Sequence, residues 1–380
     1  MSHYLNNAGA SLMSAATINA ITDHLTLESQ LGGYKAASMR EAQTEQFYEL
    51  AATLLSAPSP SCIAFMDSAS RAWNSALYGL PLNRGDEIVT LSSEFGTNLV
   101  SIFHFASRVG AKVKILRCTA SGSFDMSELQ ASLDAGARLV ALSHVAAHAS
   151  IVNPVEEIGA LVARHGAFYL VDGCQAAGQI DIDVMKIGCD AYTATGRKWL
   201  RGPRGTGFLY VKDGSPIHPP YVDLASADLV FDAHGEPSGV TTTEDARRFE
   251  LWERSIASMI GLKVALDEYL NLDRDEIHAR MRDASRSIRQ CITACDGLQL
   301  LGDEESESSV VGFYLLDFSR EDALKQAFAS ADVQVSTMGD WDCPLHFPKN
   351  GATTIFRLSP HYYTDAETVD LAIEIIQSFR

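Results

Sequence analysis

Short apolar runs recur along the first half of the chain and alternate with amphipathic segments. Most runs are apolar at successive positions, which is typical of strands buried on both faces of a parallel sheet. The predicted strands are 62–66, 86–92, 112–117, 139–145, 167–172, 191–195 and 205–211. Helical patterns such as "ASRAWNSALYGL" and "PVEEIGALVARHG" lie between them. The alternation predicts an α/β domain with a mostly parallel sheet, whose ligands bind at the carboxyl ends of its strands.

The pattern changes after residue 211. Residues 212–240 contain four prolines and predict an extended loop, and a helical pattern follows over 245–272. Further helix and strand patterns fill 276–380. We therefore predict an N-terminal arm at 1–15, a large domain at 16–255 and a smaller C-terminal α+β domain at 256–380.

Composition narrows the class of protein. The 380 residues are 46% hydrophobic, as in globular proteins, and the net charge of −18 argues against a nucleic-acid binder. The apolar runs are too short to span a membrane, and the N-terminus lacks the features of a signal peptide. Seven scattered cysteines fit reduced thiols, and no His or Cys cluster has metal-ligand spacing. We expect a cytoplasmic protein that binds no metal, nucleic acid or membrane.

Two charged residues fall at the ends of predicted strands. Asp172 ends the strand in "YLVDGCQAAG", and Lys198 follows the strand in "DAYTATGRKWL". A buried carboxylate needs a cation or proton donor beside it, and a lysine near other cations loses its proton more readily. This pair is what a pyridoxal phosphate (PLP) site requires. The Asp would keep the pyridine ring protonated, while the Lys would form a Schiff base and transfer protons.

A helix N-terminus that suits the phosphate follows the first predicted strand. In "FMDSASRAWNSAL", Ser68, Ala69 and Ser70 offer hydroxyl and backbone N–H groups at the start of a helical pattern. The segment "TGRKWLRGPRGTGFLYV" adds four cations: Arg197, Lys198, Arg201 and Arg204. We interpret their anion as the cofactor phosphate, with the substrate carboxylate nearby. The sequence assigns no individual role to Arg201 or Arg204.

Together these motifs resemble the class V aminotransferase family of fold type I PLP enzymes, in the group of ergothioneine-type carbon–sulfur lyases, isopenicillin N epimerase and cysteine desulfurases. The resemblance covers residues 4–378. The family's phosphate loop matches 68–74, its "VDGxQ" segment 172–175, its Schiff-base segment 195–207, and its "RxSxHxYNT" segment "RLSPHYYT". It implies the fold type I PLP-dependent transferase fold, with a mostly parallel seven-stranded sheet covered by helices on both faces. It also implies a homodimer with its active site near the subunit interface.

The resemblance further implies roles for individual residues. The catalytic residues would be Lys198 and Asp172. The cofactor would be held by Ser68, Ala69, Ser70, Phe95, His144, Asp172, Gln175, Thr195, Arg197 and Lys198. The substrate would be held by Asn7, Ala8, Gly9, Tyr34, His148 and Arg357. Within these sets Gln175 would donate to the ring O3′, Phe95 would stack on the pyridine ring, and Arg357 would bind the α-carboxylate.

Three positions depart from the family pattern. Arg197 stands where many relatives have His, and its guanidinium suits a phosphate dianion. Ala147 stands where some desulfurases have an Asn that contacts O3′, so this contact would rely on Gln175, alone or helped by His148. The segment "RFELWERS" lacks the threonine with which desulfurases contact the phosphate from the partner subunit.

The resemblance favours one reaction and leaves others open. "LNNAGASLM", "LGGYKAA", "RRFELWERS" and "RLSPHYYT" are similar to the lyase and epimerase branches. This similarity favours β-elimination of an amino acid at Cβ, with Lys198 removing the Cα proton and pyruvate and ammonia as products. Epimerisation would need a second acid, for which Tyr34, His148 and His361 are candidates. Transamination would need reprotonation at the cofactor and a second substrate.

Cysteine desulfuration would need a nucleophilic thiolate on a mobile loop. Cys343, in "GDWDCPLHF", lies 14 residues before Arg357, a spacing similar to that of the family's persulfide cysteine. Asp340 and Asp342 would raise the pKa of its thiol rather than lower it, so we interpret Cys343 as a loop residue. A non-catalytic regulator would be expected to lose the Lys or the Asp, or to carry a DNA-binding domain. The chain keeps both residues, which favours an enzyme.

Overall fold

The computed structural model describes residues 3–380, so the first two residues of the predicted N-terminal arm lie outside the described residues. The helices are α1 Ala15–Leu31, α2 Gly33–Met39, α3 Glu41–Leu54, α4 Ala69–Tyr78, α5 Gly96–Val109, α6 Met126–Asp134, α7 Val155–Ala163, α8 Val184–Ile187, α9 Ile256–Leu270, α10 Arg274–Thr293, α11 Glu321–Ser330 and α12 Ala366–Gln377. The strands are β1 His3–Tyr4, β2 Ile63–Met66, β3 Glu87–Leu91, β4 Lys112–Leu116, β5 Leu139–Ser143, β6 Phe168–Asp172, β7 Ala191–Thr195, β8 Gly207–Val211, β9 Ala227–Phe231, β10 Pro237–Thr242, β11 Leu298–Leu301, β12 Val311–Leu315, β13 Val333–Gln334, β14 Ser336–Met338 and β15 Ile355–Leu358.

A seven-stranded sheet over residues 63–211 carries the fold, in the order β2-β8-β7-β6-β5-β3-β4. β8 runs antiparallel to β2 and β7, and the remaining pairs are parallel. Val89 and Val171 pack in one apolar cluster, whereas their neighbours Ile88 and Leu170 pack in another. Helices must therefore cover both faces of the sheet. The predicted fold class is confirmed, and every predicted strand is present with ends that differ by at most two residues.

Two predictions for residues 212–272 are wrong. The segment 212–240 is not simply an extended loop, because β9 and β10 form an exposed antiparallel hairpin in which Pro237 starts an edge strand. The predicted helix over 245–272 begins only at Ile256, after a short 3-10 turn and an extended stretch. Glu250 interrupts it, because the chain there turns inward and the carboxylate accepts hydrogen bonds from Tyr48 and the Phe65 amide.

A second, antiparallel sheet forms the C-terminal part in the order β11-β12-β15-β14. α10 and α12 contribute to its own core, where Ile288 and Ile376 pack with Phe313. In contrast, Met259 and Leu262 of α9 lie in the core of the large sheet. By packing, α9 therefore belongs with the large sheet, although the sequence pattern places the boundary before it. β1 pairs with β13, which brings the N-terminal arm against the C-terminal part.

Candidate active site

A pocket opens at the carboxyl ends of β5, β6 and β7. Most of the predicted cofactor residues line it, namely Ser68, Ala69, Ser70, Phe95, Asp172, Gln175, Thr195, Arg197 and Lys198. The topology accounts for this convergence, because parallel strands deliver the residues that follow them to one edge of the sheet.

The first turn of α4 faces this pocket and is open to an anion. Ser68 caps the helix by accepting from the backbone N–H of Arg71 at 3.2 Å. The N–H groups of Ala69 and Ser70 and the Ser70 hydroxyl bond to no residue of the described chain. A Cβ on Gly207 would lie 2.8 Å from the Ala69 nitrogen, so only glycine lets β8 pass this close. The turn therefore presents unpaired donors at the positive end of a helix.

Asp172 ends β6 at the floor of the pocket and is 8% exposed. Its Oδ1 accepts from the Cys174 amide at 2.9 Å and the Thr193 hydroxyl at 3.1 Å, and its Oδ2 accepts from Asn98 Nδ2 at 2.8 Å. It forms no ion pair with a described Lys, Arg or His side chain. A buried carboxylate that is oriented by neutral donors alone favours a cation or proton donor in the pocket beside it.

Lys198 lies in the turn after β7, partly buried, and its amine forms no hydrogen bond or ion pair within residues 3–380. Burial, helped by the charges of Arg197 and Arg357, lowers its pKa to about 8. The neutral amine is therefore accessible near neutral pH and can attack a carbonyl carbon. The next residue anchors the turn: Trp199 is fully buried, and its indole N–H donates to Gln175 Oε1 at 2.9 Å.

The N-terminal arm packs beside the Lys198 loop, which we define as residues 195–207. Asn7 Nδ2 donates to the Ser359 carbonyl at 2.7 Å, and the Ala8 amide donates to the Ser359 hydroxyl at 2.9 Å. Gln175 Nε2 donates to the Ala8 carbonyl at 3.1 Å. The arm thus connects a predicted cofactor residue to the segment after β15, although Asn7 and Ala8 themselves do not line the pocket.

The arginines of the Lys198 loop differ in their contacts. Arg197 lines the pocket but directs a guanidinium N–H to the carbonyl of Gly9. Arg201 donates through Nε to the carbonyl of Leu12 at 2.8 Å. Arg204 is exposed and makes no hydrogen bond or ion pair with the part of the chain that the structure describes. Two of the cations therefore hold the N-terminal arm, a role for which the sequence gives no signal.

Arg357 approaches the pocket from β15 and is buried behind its wall. Its guanidinium donates to the carbonyl of Ala147, a wall residue, at 2.9 Å and to the Ser336 hydroxyl at 3.2 Å. Its Nε has no partner among the described residues. Burial lowers its pKa only to about 10, so the side chain keeps its charge at neutral pH. The structure places this cation close to Lys198 but not on the pocket surface.

Besides Asn7, Ala8, Gly9 and Arg357, three more predicted site residues do not line the pocket of their own chain. Tyr34 is 84% exposed on α2. His144 Nδ1 is 2.9 Å from the Tyr192 hydroxyl, and burial lowers the pKa of His144 to about 4. His148 Nε2 is 2.9 Å from His346 Nδ1, and burial lowers the pKa of His148 to about 3. The alternation of side chains along an extended segment explains His144, which points away from the face that its pocket-lining neighbours present.

Sequence analysis missed Asn98, which lines the pocket, and Glu94, which is buried beneath it. The Asn98 amide donates to Asp172 Oδ2 at 2.8 Å and to Glu94 Oε1 at 2.9 Å. Glu94 is 1% exposed, and burial raises its pKa to about 7. A signal was present in "SEFGTN", since an acidic residue there follows an apolar strand as Asp172 does.

Cys343 lies in a loop after β14, residues 339–349, which we call the Cys343 loop. It is fully buried in an apolar cluster with Ala147, and Phe95 packs at the edge of that cluster. Burial, followed by the charges of Asp342 and Asp340, raises the pKa of the thiol to about 12. The predicted direction of this effect is confirmed, and the group is a thiol rather than a thiolate at neutral pH.

Within residues 3–380, no three His, Cys, Asp or Glu side chains lie together in an arrangement that could hold a metal ion. No helix there is long and apolar enough to cross a bilayer. The chemical groups of the site are therefore the anion-binding turn, the Asp172 carboxylate, the Lys198 amine and the nearby cations.

Known proteins share this architecture. The family model described as aminotransferase class-V matches residues 3–371. A curated protein of Synechocystis sp. called probable cysteine desulfurase is 28% identical, over 99% of this chain and 90% of its own length. A solved structure of a C-DES variant with glycine covalently linked to its PLP cofactor has a TM-score of 0.87 at 24% identity, covering 100% of this chain and 97% of that one. A complex of the cystine C–S lyase C-DES with its product cysteine persulfide has a TM-score of 0.84 at 24% identity, covering 100% and 98%.

Proposed function

Because the chain belongs to the class-V aminotransferase family and is a PLP-dependent enzyme, we propose that it cleaves the Cβ–sulfur bond of a cysteine-type amino acid by β-elimination. The products would be a sulfur leaving group, pyruvate and ammonia. One observation carries the choice of elimination over persulfide transfer. The Cys343 thiol, which persulfide transfer would need as a thiolate, is fully buried in an apolar cluster with Asp340 and Asp342 nearby, and both effects hold it protonated.

The polar groups of the pocket fit PLP. The unpaired N–H groups of Ala69 and Ser70 would hold the phosphate, and the Asp172 carboxylate would hold the proton of the ring nitrogen. The Lys198 amine has no competing partner in the described chain and would bind the aldehyde carbon. Phe95 would cover the ring face without supplying an acid or base. When bound, PLP supplies an electron sink for the α-carbon of an amino acid joined to it.

Lys198 would then move the proton on which elimination depends. Its neutral amine accepts the proton from Cα, and a pKa of about 8 lets it return that proton near neutral pH. The Cβ–sulfur bond breaks, and the sulfur leaves as a thiol that carries the proton. Water then converts the remaining three-carbon unit into pyruvate and ammonia, so the step needs no oxidant or reductant.

Arg357 would orient the substrate in this scheme. It keeps its positive charge in a buried position, and its Nε lacks a partner among the described residues. An α-carboxylate that reached this nitrogen would gain a charge-assisted hydrogen bond. Because Arg357 lies behind Ala147, binding would require the wall around Ala147 to adjust or the guanidinium to turn toward the pocket.

Epimerisation has less support, since it needs a proton donor on the face opposite Lys198. Tyr34 is on an exposed helix outside the pocket. His361 has both ring nitrogens occupied, Nε2 by the Trp199 carbonyl at 3.1 Å and Nδ1 by the Tyr362 amide at 3.0 Å. Neither side chain is placed to deliver a proton to a substrate in the pocket of its own chain.

His148, the remaining candidate acid, has its proton directed elsewhere. His346 Nε2 contacts the Thr119 carbonyl at 2.8 Å, and a carbonyl only accepts, so Nε2 carries the hydrogen in neutral His346. Its Nδ1 must then accept from His148 Nε2–H. The remaining nitrogen of His148, Nδ1, is a bare acceptor without a partner in the described chain. This tautomer supports hydrogen-bond acceptance rather than acid catalysis.

Cysteine desulfuration is the second candidate, because the curated relatives carry that name and Cys343 packs in the same cluster as the pocket residue Ala147. In that reaction the Cys343 thiolate would attack the substrate sulfur, retain it as a persulfide and leave alanine. The Cys343 loop would first have to move the thiol out of its apolar cluster and away from Asp340 and Asp342.

The products distinguish the two reactions. The holoenzyme would be incubated with L-cysteine, L-cystine and S-substituted cysteines, and pyruvate, ammonia and alanine would be measured. Elimination predicts pyruvate in step with released sulfur, and the same yield from Cys343→Ala as from the control Cys118→Ala. Alanine formation that is lost in Cys343→Ala and kept in Cys118→Ala would overturn elimination in favour of desulfuration.

The resemblance also supports a homodimer and a cytoplasmic location. The β9–β10 hairpin exposes Leu229, Phe231 and Val240, and such apolar area is typical of a contact surface. The seven free cysteines fit a reducing compartment. Light scattering after size-exclusion chromatography would test the assembly, and a monomeric holoenzyme at micromolar concentration would contradict it.

A further inference from the structure

Asn98 joins two buried carboxylates at the floor of the pocket. Both contacts use the same nitrogen, Nδ2, which donates to Asp172 Oδ2 at 2.8 Å and to Glu94 Oε1 at 2.9 Å. An amide NH2 group has two hydrogens, so both are committed to these carboxylates. The position of Asp172 is therefore tied to that of Glu94 through one side chain.

Burial favours the protonated form of Glu94, whose pKa is about 7, but the donors around its carboxylate and a cation in the pocket favour the ionised form. Besides Asn98, its oxygens accept from the Phe95 amide at 2.8 Å and from the Ser143 amide at 2.6 Å. No described Lys, Arg or His forms an ion pair with it. Glu94 and Asp172 thus form a pair of buried carboxylates stabilised by neutral donors, and a cation in the pocket would relieve their mutual repulsion.

We propose that Glu94 is a positioning residue that acts through Asn98: it orients the Asp172 carboxylate, places a second negative charge behind it, and so strengthens binding of the protonated PLP ring. Asp172 is the residue that faces the ring, and Glu94 does not line the pocket. The inference depends on the cofactor class alone, so it holds whether the enzyme eliminates, desulfurates or epimerises.

If Glu94 had a purely structural role, Glu94→Gln would behave like the loss of any other buried carboxylate. The chain offers a matched control for this case. Glu321 is 4% exposed and accepts from the Thr353 and Thr354 amides without an ion pair to a described residue. It resembles Glu94 in burial and in its neutral donors, but it lies in the C-terminal part, away from Asp172. Glu321→Gln therefore reports what loss of a buried carboxylate does to folding alone.

The test compares Glu94→Gln, Asn98→Leu, the double variant and Glu321→Gln. The dissociation constant of PLP from each apoenzyme would be measured by equilibrium dialysis, and the absorption of the bound cofactor would be titrated with pH. In Glu94→Gln we expect PLP to bind about tenfold more weakly, and the pH midpoint of the Lys198–cofactor bond to fall, because a negative charge that stabilises cations has been removed. The other titratable groups near that bond, Asp172, Cys174, Arg197 and Arg357, are unchanged in this variant.

Coupling through Asn98 has its own signature. Asn98→Leu should also weaken PLP binding, and the double variant should bind PLP no more weakly than the worse single variant, because both act on one unit. Asn98→Leu keeps the Glu94 contacts with Ser143 and Phe95, so it supplies the test if Glu94→Gln does not fold. An unchanged PLP affinity and pH midpoint in either variant, fully additive losses, or an equal loss in Glu321→Gln would overturn the proposal.

Discussion

The Lys198 loop and the Cys343 loop each bring a nucleophilic side chain close to the pocket, and burial acts on both in the same physical direction. Removal from water favours the uncharged form of any group. For Lys198 that form is the free amine, which reacts, and its pKa falls to about 8. For Cys343 that form is the thiol, which does not react, and its pKa rises to about 12.

The neighbouring charges strengthen this contrast. Arg197 and Arg357 add positive charge near an amine that must lose a proton. Asp342 and Asp340 add negative charge near a thiol that would have to lose one. Burial therefore makes the Lys198 amine reactive and keeps the Cys343 thiol unreactive, and the neighbouring charges act in the same direction as burial in both loops.

Removing the Lys198 amine should have the largest effect on activity. Lys198→Ala should lower the turnover of any amino-acid substrate by about 10³-fold or more, because both the covalent attachment and the proton transfer are lost. Borohydride reduction of the holoenzyme followed by peptide mass spectrometry should label Lys198 in the wild type and nothing in the variant. Lys186→Ala, on the exposed surface of α8, is the control. A label retained in Lys198→Ala would show that another lysine binds the cofactor.

Removing the positive charge of Arg357, behind the pocket wall, should affect substrate binding more than the chemical step. Arg357→Gln should raise KM by roughly 10- to 100-fold through the loss of a charge-assisted hydrogen bond to the carboxylate, with PLP affinity retained. Steady-state kinetics and cofactor dialysis measure the two effects. Ser336→Ala removes one Arg357 contact but keeps the charge, so an equal KM change in that variant would assign the effect to loop packing.

The activation of Lys198 should appear in the pH dependence of cofactor attachment. Only the neutral amine attacks, so the attachment rate to apoenzyme should fall about tenfold for each pH unit below 8 and level off above it. Stopped-flow absorbance between pH 6 and 9 measures this profile. Arg197→Gln removes a neighbouring cation and should move the midpoint to higher pH. A midpoint near 10 in the wild type would show that burial does not activate the amine.

Removing the negative charges near the Cys343 thiol should have the smallest effect of these changes. Asp340→Asn with Asp342→Asn should lower the pKa of Cys343 and speed its alkylation by iodoacetamide by a few-fold, while burial, the larger cause, remains. Mass spectrometry of the labelled peptide separates Cys343 from the other cysteines, and Cys343→Ala is the blank. If the wild type already alkylates Cys343 as fast as a free thiol, the contrast between the two loops fails.

The sequence predicts those parts of the site that follow directly from chain direction. Asp172 and the Lys198 loop each come after a buried strand, and parallel strands end at one edge of the sheet. The first turn of α4 follows β2 in the same way, although β8 separates β2 from the parallel strands. The order of strands was not needed to locate these groups, because each lies at a strand end that faces the pocket.

Side chains within helices and loops could not be placed so readily. The position of Asn98 depends on the rotation of α5 about its axis, which the apolar pattern fixes only coarsely. His148 depends on a partner 198 residues later, and Tyr34 depends on how α2 is oriented between α1 and α3. Such placements come from long-range packing, which neither local propensity nor periodicity encodes.

The N-terminal arm joins two parts of the chain that lie far apart in the sequence. Asn7 donates to the Ser359 carbonyl across 352 positions, and Tyr363 donates in turn to Asn7. Until the ribosome has delivered residues 359–363, these two contacts cannot form, and the arm is held only by its contacts with earlier residues such as Gln175 and Arg197. Assembly of the arm is therefore a late event in biogenesis, because contacts of such long range form slowly, and the sheet can fold before its site is complete.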